Sequence, residues 1–155
     1  MADFRASVII TEPVDVVFAY FANMSYAPEY MSNVEETEKL TDGPVGVGTK
    51  YRELRKVRGK NATAEIEYLA YEKNVAIKRR SNSNGLLVDY DYRFAEIQEG
   101  TQVEFEGKVH VKGLMMRLTK RVLVNIIKTE DGDHVQRAKE LLESEESSLE
   151  INREY

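Results

Sequence analysis

The sequence predicts one α+β domain in which a curved antiparallel sheet closes on a long C-terminal helix around an apolar interior. The chain has 155 residues, the usual size of a single domain, and 42% of them are hydrophobic, enough for a core. Its middle alternates apolar and polar residues between closely spaced turn signals, which is typical of an antiparallel meander. After Gly113 the apolar residues change to helical spacing.

The first elements are expected to be a strand and two short helices. Apolar side chains occupy every second position within residues 3–11, which predicts a half-buried strand. Pro13 suits the first turn of a helix, and apolar residues spaced three and four apart predict one helical face over 14–21. Because Pro28 prevents this helix from continuing, a second short helix is expected within 24–32.

Six further strands are expected in the middle of the chain. Short segments rich in Gly, Asn and Asp separate them, and links this short join antiparallel neighbours. The expected strands are 33–40, 48–58, 61–71, 74–81, 86–97 and 101–112.

Three of these strands alternate clearly enough to assign their faces. The apolar faces hold Ala62, Ala64, Ile66, Tyr68 and Ala70; Leu86, Val88, Tyr90, Tyr92 and Phe94; and Val103, Phe105, Gly107, Val109 and Val111. The opposite faces hold Glu65, Glu67, Asp89, Asp91, Arg93, Glu104, Glu106 and Lys108. The sheet is therefore predicted to have one buried face and one solvated face.

The C-terminal helical segment contains two apolar sets that are out of phase. The first is Met115, Leu118, Val122 and Ile126, and the second is Val135, Ala138 and Leu142. The change of phase falls at Gly132 and Asp133. One interpretation is a new helix capped by Asp133, with Gln136 completing a capping box. The other, favoured here, is one nearly continuous helix that bends at Gly132.

Composition excludes several classes of function. Without cysteine there are no disulfides, thiolate metal sites or thiol catalysis. The net charge is -5, and residues 143–155 hold five Glu against one Arg, so the rest is nearly neutral and gives no support for nucleic-acid binding. No signal peptide and no apolar stretch of ~20 residues is present, so a cytoplasmic protein without stable membrane insertion is expected. Residues 144–155 are expected to form an acidic, flexible tail.

Several motifs carry a family resemblance through their order and spacing. They are Pro-Val-Asp-Val-Val-Phe (13–18), Gly-Pro-Val-Gly-Val-Gly-Thr-Lys-Tyr-Arg (43–52), Glu-Ile-Glu-Tyr (65–68), Gly-Thr (100–101) opening a strand, and the long C-terminal helix. Over residues 3–143 the chain resembles the START-like, Bet v 1-like or helix-grip superfamily, and within it the polyketide cyclase/dehydrase and lipid-transport group.

The resemblance implies a helix-grip fold, with a ligand-binding domain over residues 1–143. In this fold a curved seven-stranded antiparallel sheet wraps around a long C-terminal helix over a hydrophobic cavity, with two short helices after the first strand. Members bind lipids, hormones or quinones, or act as aromatase/cyclases or hydrolases. No catalytic constellation is shared across the superfamily, so the resemblance assigns no catalytic residue.

The cavity wall is expected to come from residues on the predicted buried faces. Tyrosine offers apolar area with one hydrogen bond, and methionine adapts its shape to a ligand. The candidates are Phe18, Phe21, Tyr51, Glu53, Tyr68, Arg79, Tyr90, Tyr92, Phe105, Met115, Leu118 and Val122. For the tyrosines and methionines, simple core packing is the alternative.

Three charged residues share the parity of buried positions: Glu53, Arg55 and Arg79. Pointing inward, one of them could anchor a ligand carboxylate or carbonyl, but it would need a partner because a buried unpaired charge is costly. Alternatively, these strands bow outward and the charges are solvated or paired with one another. We favour this alternative because charged residues are rarely buried unless paired.

The remaining motifs favour structural roles. Residues 43–50 imitate a phosphate-binding loop, but Thr precedes Lys50 and a strand follows where a helix is needed. His110 falls on the solvated face and His134 is expected on the helix surface. Neither histidine has metal-ligand spacing, so no metal or other cofactor is expected.

Basic residues concentrate on one hairpin: Lys50, Arg52, Arg55, Lys56, Arg58 and Lys60. They could meet an anionic membrane, an acidic partner or an anionic ligand. Protection of a strand edge by charge is the interpretation favoured here.

Three functions remain open from the sequence. The first is a binder or carrier of a small hydrophobic ligand such as a lipid, a quinone or a polyketide-like aromatic. The second is a cyclase/dehydratase-like enzyme that holds a reactive chain in one shape, and the third is a protein-interaction module. The sequence identifies neither the ligand nor the oligomeric state.

Overall fold

A computed structural model describes residues 2–57, 59–111 and 114–154. For residues 57, 114–118, 130 and 145–154 it describes the backbone but not the side chain. Its strands are β1 (Phe4–Ile10), β2 (Val34–Lys39), β3 (Lys50–Val57), β4 (Lys60–Glu72), β5 (Ala76–Ser83), β6 (Leu86–Ile97) and β7 (Gly100–His110). Its helices are α1 (Val14–Ala22), α2 (Ala27–Tyr30), α3 (Leu114–Asp131) and α4 (His134–Glu154), with a 3-10 turn at Met24–Tyr26 before α2.

Within the described residues, seven strands form one antiparallel sheet in the order β1-β7-β6-β5-β4-β3-β2. Strands β2 to β7 are neighbours in chain order, which confirms the predicted meander. The first strand closes the far side of the sheet by pairing with the last, with Phe4 opposite Gly107 and Ile10 opposite Thr101. With the C-terminal helices and two short helices after β1, this is the predicted α+β helix-grip fold.

A β-bulge in β4 changes one of the predicted faces. Tyr68 pairs with Arg79, but the next pair is Ala70 with Lys78, so Leu69 is an extra residue in the ladder. One extra residue reverses the side-chain direction beyond it. Ala70 is therefore exposed, contrary to the prediction, and Tyr71 instead packs inward.

The basic hairpin does not protect a sheet edge, because β2 covers β3. Its outward cations pair across strands with carboxylates: Lys50 with Glu65 at 3.3 Å, Arg52 with Glu38 at 3.0 Å, and Lys56 with Glu35 at 3.3 Å. Arg58 lies outside the described residues. The concentration of positive charge seen in the sequence is thus balanced in space by acids on neighbouring strands.

The long C-terminal helical segment is interrupted at the predicted bend. The α3 helix ends at Asp131 and α4 begins at His134, so only Gly132 and Asp133 lie between the two helices. The Asp133 carbonyl accepts from the Arg137 amide at 3.1 Å and opens α4. Gln136 donates to Glu140 rather than forming the proposed capping box. In the described part of the chain, neither helix is long and apolar enough to span a bilayer.

The core lies between the inner face of the sheet, α1, α2 and the first turns of α4. Phe18 packs edge-on against Phe94 at 5.2 Å between ring centres, and Phe21 packs against Tyr30 at 5.4 Å. Among the described α4 side chains, the buried ones are His134, Val135, Ala138 and Leu142. Aromatic rings therefore fill much of the space that the sheet encloses.

Candidate functional site

A cluster of charged side chains lies inside the sheet rather than on its surface. Glu53, Arg55 and Arg79 project inward from β3 and β5 and are 2%, 8% and 2% exposed. The favoured expectation that these strands bow outward is therefore wrong, although its pairing of the charges with one another is confirmed for Glu53 and Arg55. Strand parity was correct, and burial of the charges is tolerable because they have bonded partners both on β3 itself and on other elements.

Arg55 joins two carboxylates. Its Nε donates to Glu53 Oε1 at 2.7 Å, and its Nη1 donates to Asp131 Oδ2 at 3.3 Å. The Tyr90 hydroxyl donates to the same Asp131 oxygen at 2.8 Å. Burial raises the pKa of the Glu53 carboxyl, while the Arg55 guanidinium opposes this effect. Asp131, the last residue of α3, thereby ties that helix to β3 and β6.

Arg79 is a buried cation without a carboxylate bonded to it among the described residues. Its Nη1 donates to the Phe21 carbonyl at 2.8 Å, and its guanidinium carbon lies 4.9 Å from the ring centre of Tyr92 and 5.7 Å from that of Tyr68. Burial raises the pKa of Tyr92 and Tyr68, while nearby Arg79 opposes this effect. The hydroxyls of Tyr30, Tyr68 and Tyr92 also interact with this guanidinium, which keeps its charge in proteins.

A second buried chain of hydrogen bonds runs from β6 to the helix break. The Tyr92 hydroxyl lies 2.8 Å from His134 Nε2, and His134 Nδ1 lies 2.5 Å from the Asp131 carbonyl oxygen. Because a carbonyl only accepts, we assign the ring proton to Nδ1, and neutral Nε2 then accepts from Tyr92. Burial lowers the pKa of His134 from 6.5 to about 4, so the ring is neutral near pH 7.

These groups line one interior cavity of about 10 Å³, room for about one water molecule. Its polar wall is Glu53, Arg55, Arg79, Tyr90 and Tyr92, and its apolar wall is Met24, Met31 and Ile66. In the described conformation the space does not admit a lipid or a polycyclic ligand. A larger occupant requires side chains or helices to move.

The structure brings four of the twelve predicted candidates together at this cavity: Glu53, Arg79, Tyr90 and Tyr92. Phe18, Phe21, Tyr51, Tyr68 and Phe105 are buried in the surrounding core. The side chains of Met115 and Leu118 lie outside the described residues. Ligand contact by any of the candidates remains a prediction.

Val122 was expected on the inner face of α3 but is 55% exposed. The inner face instead carries Lys120, Val124, Ile127 and Asp131, which lie on one helical face. Ion pairs lie at both ends of the described part of this face: Lys120 with Asp3 at 3.4 Å, and Asp131 with Arg55. Because the residues at these two ends are charged, the spacing of apolar residues did not identify this face, and the predicted burial of Val122 was wrong.

Sequence reasoning missed two residues of the site, Asp131 and His134. His134 was expected on the surface, yet it is fully buried, with its ring 4.5 Å from Phe105. A signal was present: His134, Ala138 and Leu142 are spaced four apart, so they share one helical face. Asp131 gave no such signal, because its partners are distant in sequence. In the described residues, no group of three or more acidic or histidine side chains could hold a metal ion.

Solved structures confirm the architecture. A protein from Thermus thermophilus, TTHA0849, has a TM-score of 0.71 and 16% identity, covering 88% of this chain and 94% of its own. The Zhui aromatase/cyclase from Streptomyces sp. R1128 has a TM-score of 0.70 and 14% identity, covering 90% and 92%. The di-domain ARO/CYC BexL from the BE-7585A biosynthetic pathway has a TM-score of 0.69 and 17% identity, covering 88% and 48%. At these identities the likeness establishes the fold alone.

The sequence comparison is more specific. No curated protein sequence matches the chain. A family model described as polyketide cyclase / dehydrase and lipid transport matches residues 1–143, which agrees with the motifs and their spacing. The chain therefore belongs to the polyketide cyclase/dehydrase and lipid-transport family.

Proposed function

We propose that this protein binds a small hydrophobic ligand that carries a carbonyl or acidic oxygen, in the cavity between the sheet and the C-terminal helices. Lipids, quinones and polyketide-like aromatics fit this description. The observation that carries the proposal is Arg79, a buried guanidinium that lines the cavity and has no carboxylate bonded to it among the described residues. Membership of a family of cyclases and lipid carriers supports it.

Binding requires the interior to open, because the described cavity holds about one water molecule. Met24 and Met31 form its apolar side, and methionine changes rotamer at low cost. Met24 begins the 3-10 turn and Met31 directly follows α2, so both belong to the segment of short helices after β1. The ligand would displace these methionines and place its oxygen on Arg79.

The test is a fluorescence titration with anilinonaphthalene sulfonate, an aromatic probe that carries one anionic group. We expect saturable binding with one site per chain, weakened about tenfold or more in Arg79→Gln because a charge-assisted hydrogen bond is lost. Arg93→Gln, which removes an exposed arginine from the outer face of β6, should bind as the unchanged protein does. Equal affinity in all three proteins would contradict a site at Arg79.

An acid–base enzyme is the second candidate, favoured by the Tyr92–His134 hydrogen bond beside the cavity. A buried neutral imidazole can accept a proton from a hydroxyl that it contacts. This candidate requires Tyr92 and His134 for turnover of a bound substrate, whereas simple binding does not. A substrate recovered unchanged after prolonged incubation supports the binding function.

A further inference from the structure

The two edges of the sheet are protected to different degrees. Strand β2 forms one edge and β1 forms the other. A strand edge presents unpaired backbone N–H and C=O groups, which bulges, covering segments and charged side chains shield from other strands. Strand β2 has a bulge between Val34 and Glu36, and its Thr37 Oγ1 donates to the Met24 carbonyl of the neighbouring 3-10 turn at 3.0 Å. Its charged residues are Glu35, Glu36, Glu38 and Lys39.

Strand β1 lacks these protections. It spans seven residues, pairs with β7 without a bulge, and holds one charged residue, Arg5, whose Nε lies 3.5 Å from Glu106 Oε1 on β7. Among the described residues, no backbone hydrogen bond joins its other edge to another segment. Apolar side chains are accessible there: Ile9 on the outer face is 45% exposed, and Ala6 and Val8 on the inner face are only half-buried.

The peptide group at the end of β1 shows which residues face the open edge. The Ile10 carbonyl points at β7, because a Cβ atom at Gly100 would lie 2.2 Å from its oxygen. The N–H of Thr11 points the other way and donates to Glu143 Oε1 of α4 at 3.1 Å, which covers this edge at its end. Backbone groups alternate in direction along an extended strand. The residues whose N–H and C=O groups face the open edge are therefore Arg5, Ser7 and Ile9.

The same strand of a second copy fits this edge. Antiparallel pairing of two β1 strands about a two-fold axis at Ser7 joins residues whose backbone groups all face the edge. Arg5 of each chain then lies opposite Ile9 of the other, and Ala6 lies opposite Val8, so the half-buried apolar side chains cover one another. No like charges face each other, because the two Arg5 side chains are about 14 Å apart along the strands.

The difference between the two edges also favours a second copy over a longer assembly. Among the described strands, only β1 offers an open edge, so a second copy must meet it with its own β1. A contact made by the same patch on both chains is closed and stops at two subunits. Pairing therefore uses up the open edge of both chains and leaves no further edge for growth.

We propose that β1 is a dimerisation edge, through which two copies of this chain join their sheets into one continuous antiparallel sheet with Ser7 on the two-fold axis. Each chain contributes its seven strands to this sheet. The interface uses none of the residues that line the cavity, so it does not depend on the proposed ligand binding.

The test is analytical ultracentrifugation of the full chain over a range of concentrations, which should show a reversible equilibrium between one chain and two. At position 9, glutamate would attract Arg5 of the other chain and lysine would repel it, whereas the neighbour of Ile9 on β7 is the neutral Gln102. The dissociation constant of the dimer should therefore be about tenfold higher in Ile9→Lys than in Ile9→Glu, since two symmetric pairs change from attraction to repulsion.

Two further sets of variants control this comparison. Val47→Lys and Val47→Glu are the matched pair, because Val47 is 71% exposed in the loop before β3, and their dissociation constants should be equal. Ser7→Pro removes an N–H that faces the open edge and none that faces β7, so it should give a single chain with its sheet intact. If Ser7→Pro fails to fold, the two Ile9 variants still decide the question, because they leave the backbone unchanged.

Hydrogen exchange measured residue by residue locates the interface. As the protein concentration rises, the amides of Ser7 and Ile9 should exchange more slowly, whereas those of Ala6 and Val8, which face β7, should be slow throughout. A single chain at every concentration would overturn the proposal and leave the edge to a strand from another protein. A dimer in which Ile9→Lys and Ile9→Glu dissociate alike, and in which Ser7 and Ile9 are not protected, forms through another surface and equally overturns it.

Discussion

Burial of His134 links the protonation of one ring to the stability of the fold. Its pKa is lowered to about 4 by burial, while the ring in the unfolded chain titrates near 6.5. Protonation therefore favours the unfolded chain between these values. The stability that the neutral ring contributes is fully present above pH 6.5 and is lost as the pH falls through 4. The shift corresponds to about 3 kcal/mol.

We expect the free energy of unfolding, measured by urea denaturation, to fall between pH 6.5 and 4 more steeply in the unchanged protein than in His134→Gln. Glutamine cannot be protonated in this range and retains one donor and one acceptor. Subtracting the two curves removes the contribution of the carboxylates that both proteins share. Equal slopes in the two proteins would contradict the assignment of this titration to His134.

At Asp89, hydrogen bonds outweigh the effect of burial on the pKa. It was predicted on the solvated face of β6 and does lie there, yet it is buried beneath its partners. Arg80 donates to both carboxylate oxygens at 2.7 and 3.0 Å, and His110 Nε2 lies 2.7 Å from one of them. Burial alone would raise the pKa of Asp89, but these hydrogen bonds outweigh it and lower the pKa.

At the scale of elements, one close approach closes the sheet between β1 and β7. Phe4 pairs with Gly107, and its ring lies directly over the glycine. A Cβ atom at Gly107 would lie 2.2 Å from the ring of Phe4, which itself packs on Phe105 at 5.6 Å. The Phe4 ring on β1 can therefore pack over β7 only because Gly107 has no side chain.

We expect Gly107→Ala to lower the free energy of unfolding by about 1–3 kcal/mol, because the Phe4 ring must leave its place. Combining it with Phe4→Leu should recover part of this loss, since the smaller side chain leaves room for the methyl group. Gly46→Ala, where nothing lies within 4 Å, is the matched control and should not be destabilised by crowding. If the losses in the free energy of unfolding from Gly107→Ala and Phe4→Leu simply add in the double variant, the two residues do not compete for this space.

At the scale of the molecule, the interior is charged yet balanced. Two carboxylates, Glu53 and Asp131, and two guanidiniums, Arg55 and Arg79, lie inside a core built largely from aromatic and aliphatic side chains. Removing one member of a buried pair leaves an uncompensated charge, whereas removing two of opposite sign restores neutrality. The balance extends over β3, β5 and α3, so it is a property of the assembled fold.

We expect Glu53→Gln and Arg79→Gln each to lower the free energy of unfolding by about 3 kcal/mol, and the double variant to lose at least about 1 kcal/mol less than their sum. The measurement is a double-mutant cycle in urea. The exposed pair of Arg52 and Glu38, 3.0 Å apart on the outer face, is the control cycle and should show a coupling below about 1 kcal/mol. Additive losses for Glu53 and Arg79 would mean that the balance of charge does not act across the cavity.

Local spacing determined most of the architecture. Period-two alternation gave the strands to within a few residues, and short turns gave their meander order, because both are properties of neighbouring residues. The motifs gave the family, which the match over residues 1–143 confirms. Strand parity also pointed Glu53, Arg55 and Arg79 inward, although a general preference for exposed charge argued against it.

Only the tertiary structure decided the site. The burial of His134 and Asp131 depends on partners from distant parts of the chain, and the bulge at Leu69 depends on how β4 pairs with β5. Asp131 and Arg55 are separated by 76 residues and meet because the helix break returns to the sheet. The sequence by itself determined a helix-grip fold with an apolar interior, since neighbouring residues encode it. Which charges that interior holds was decided by folding, because a buried charge is tolerated only where the assembled structure supplies its partner.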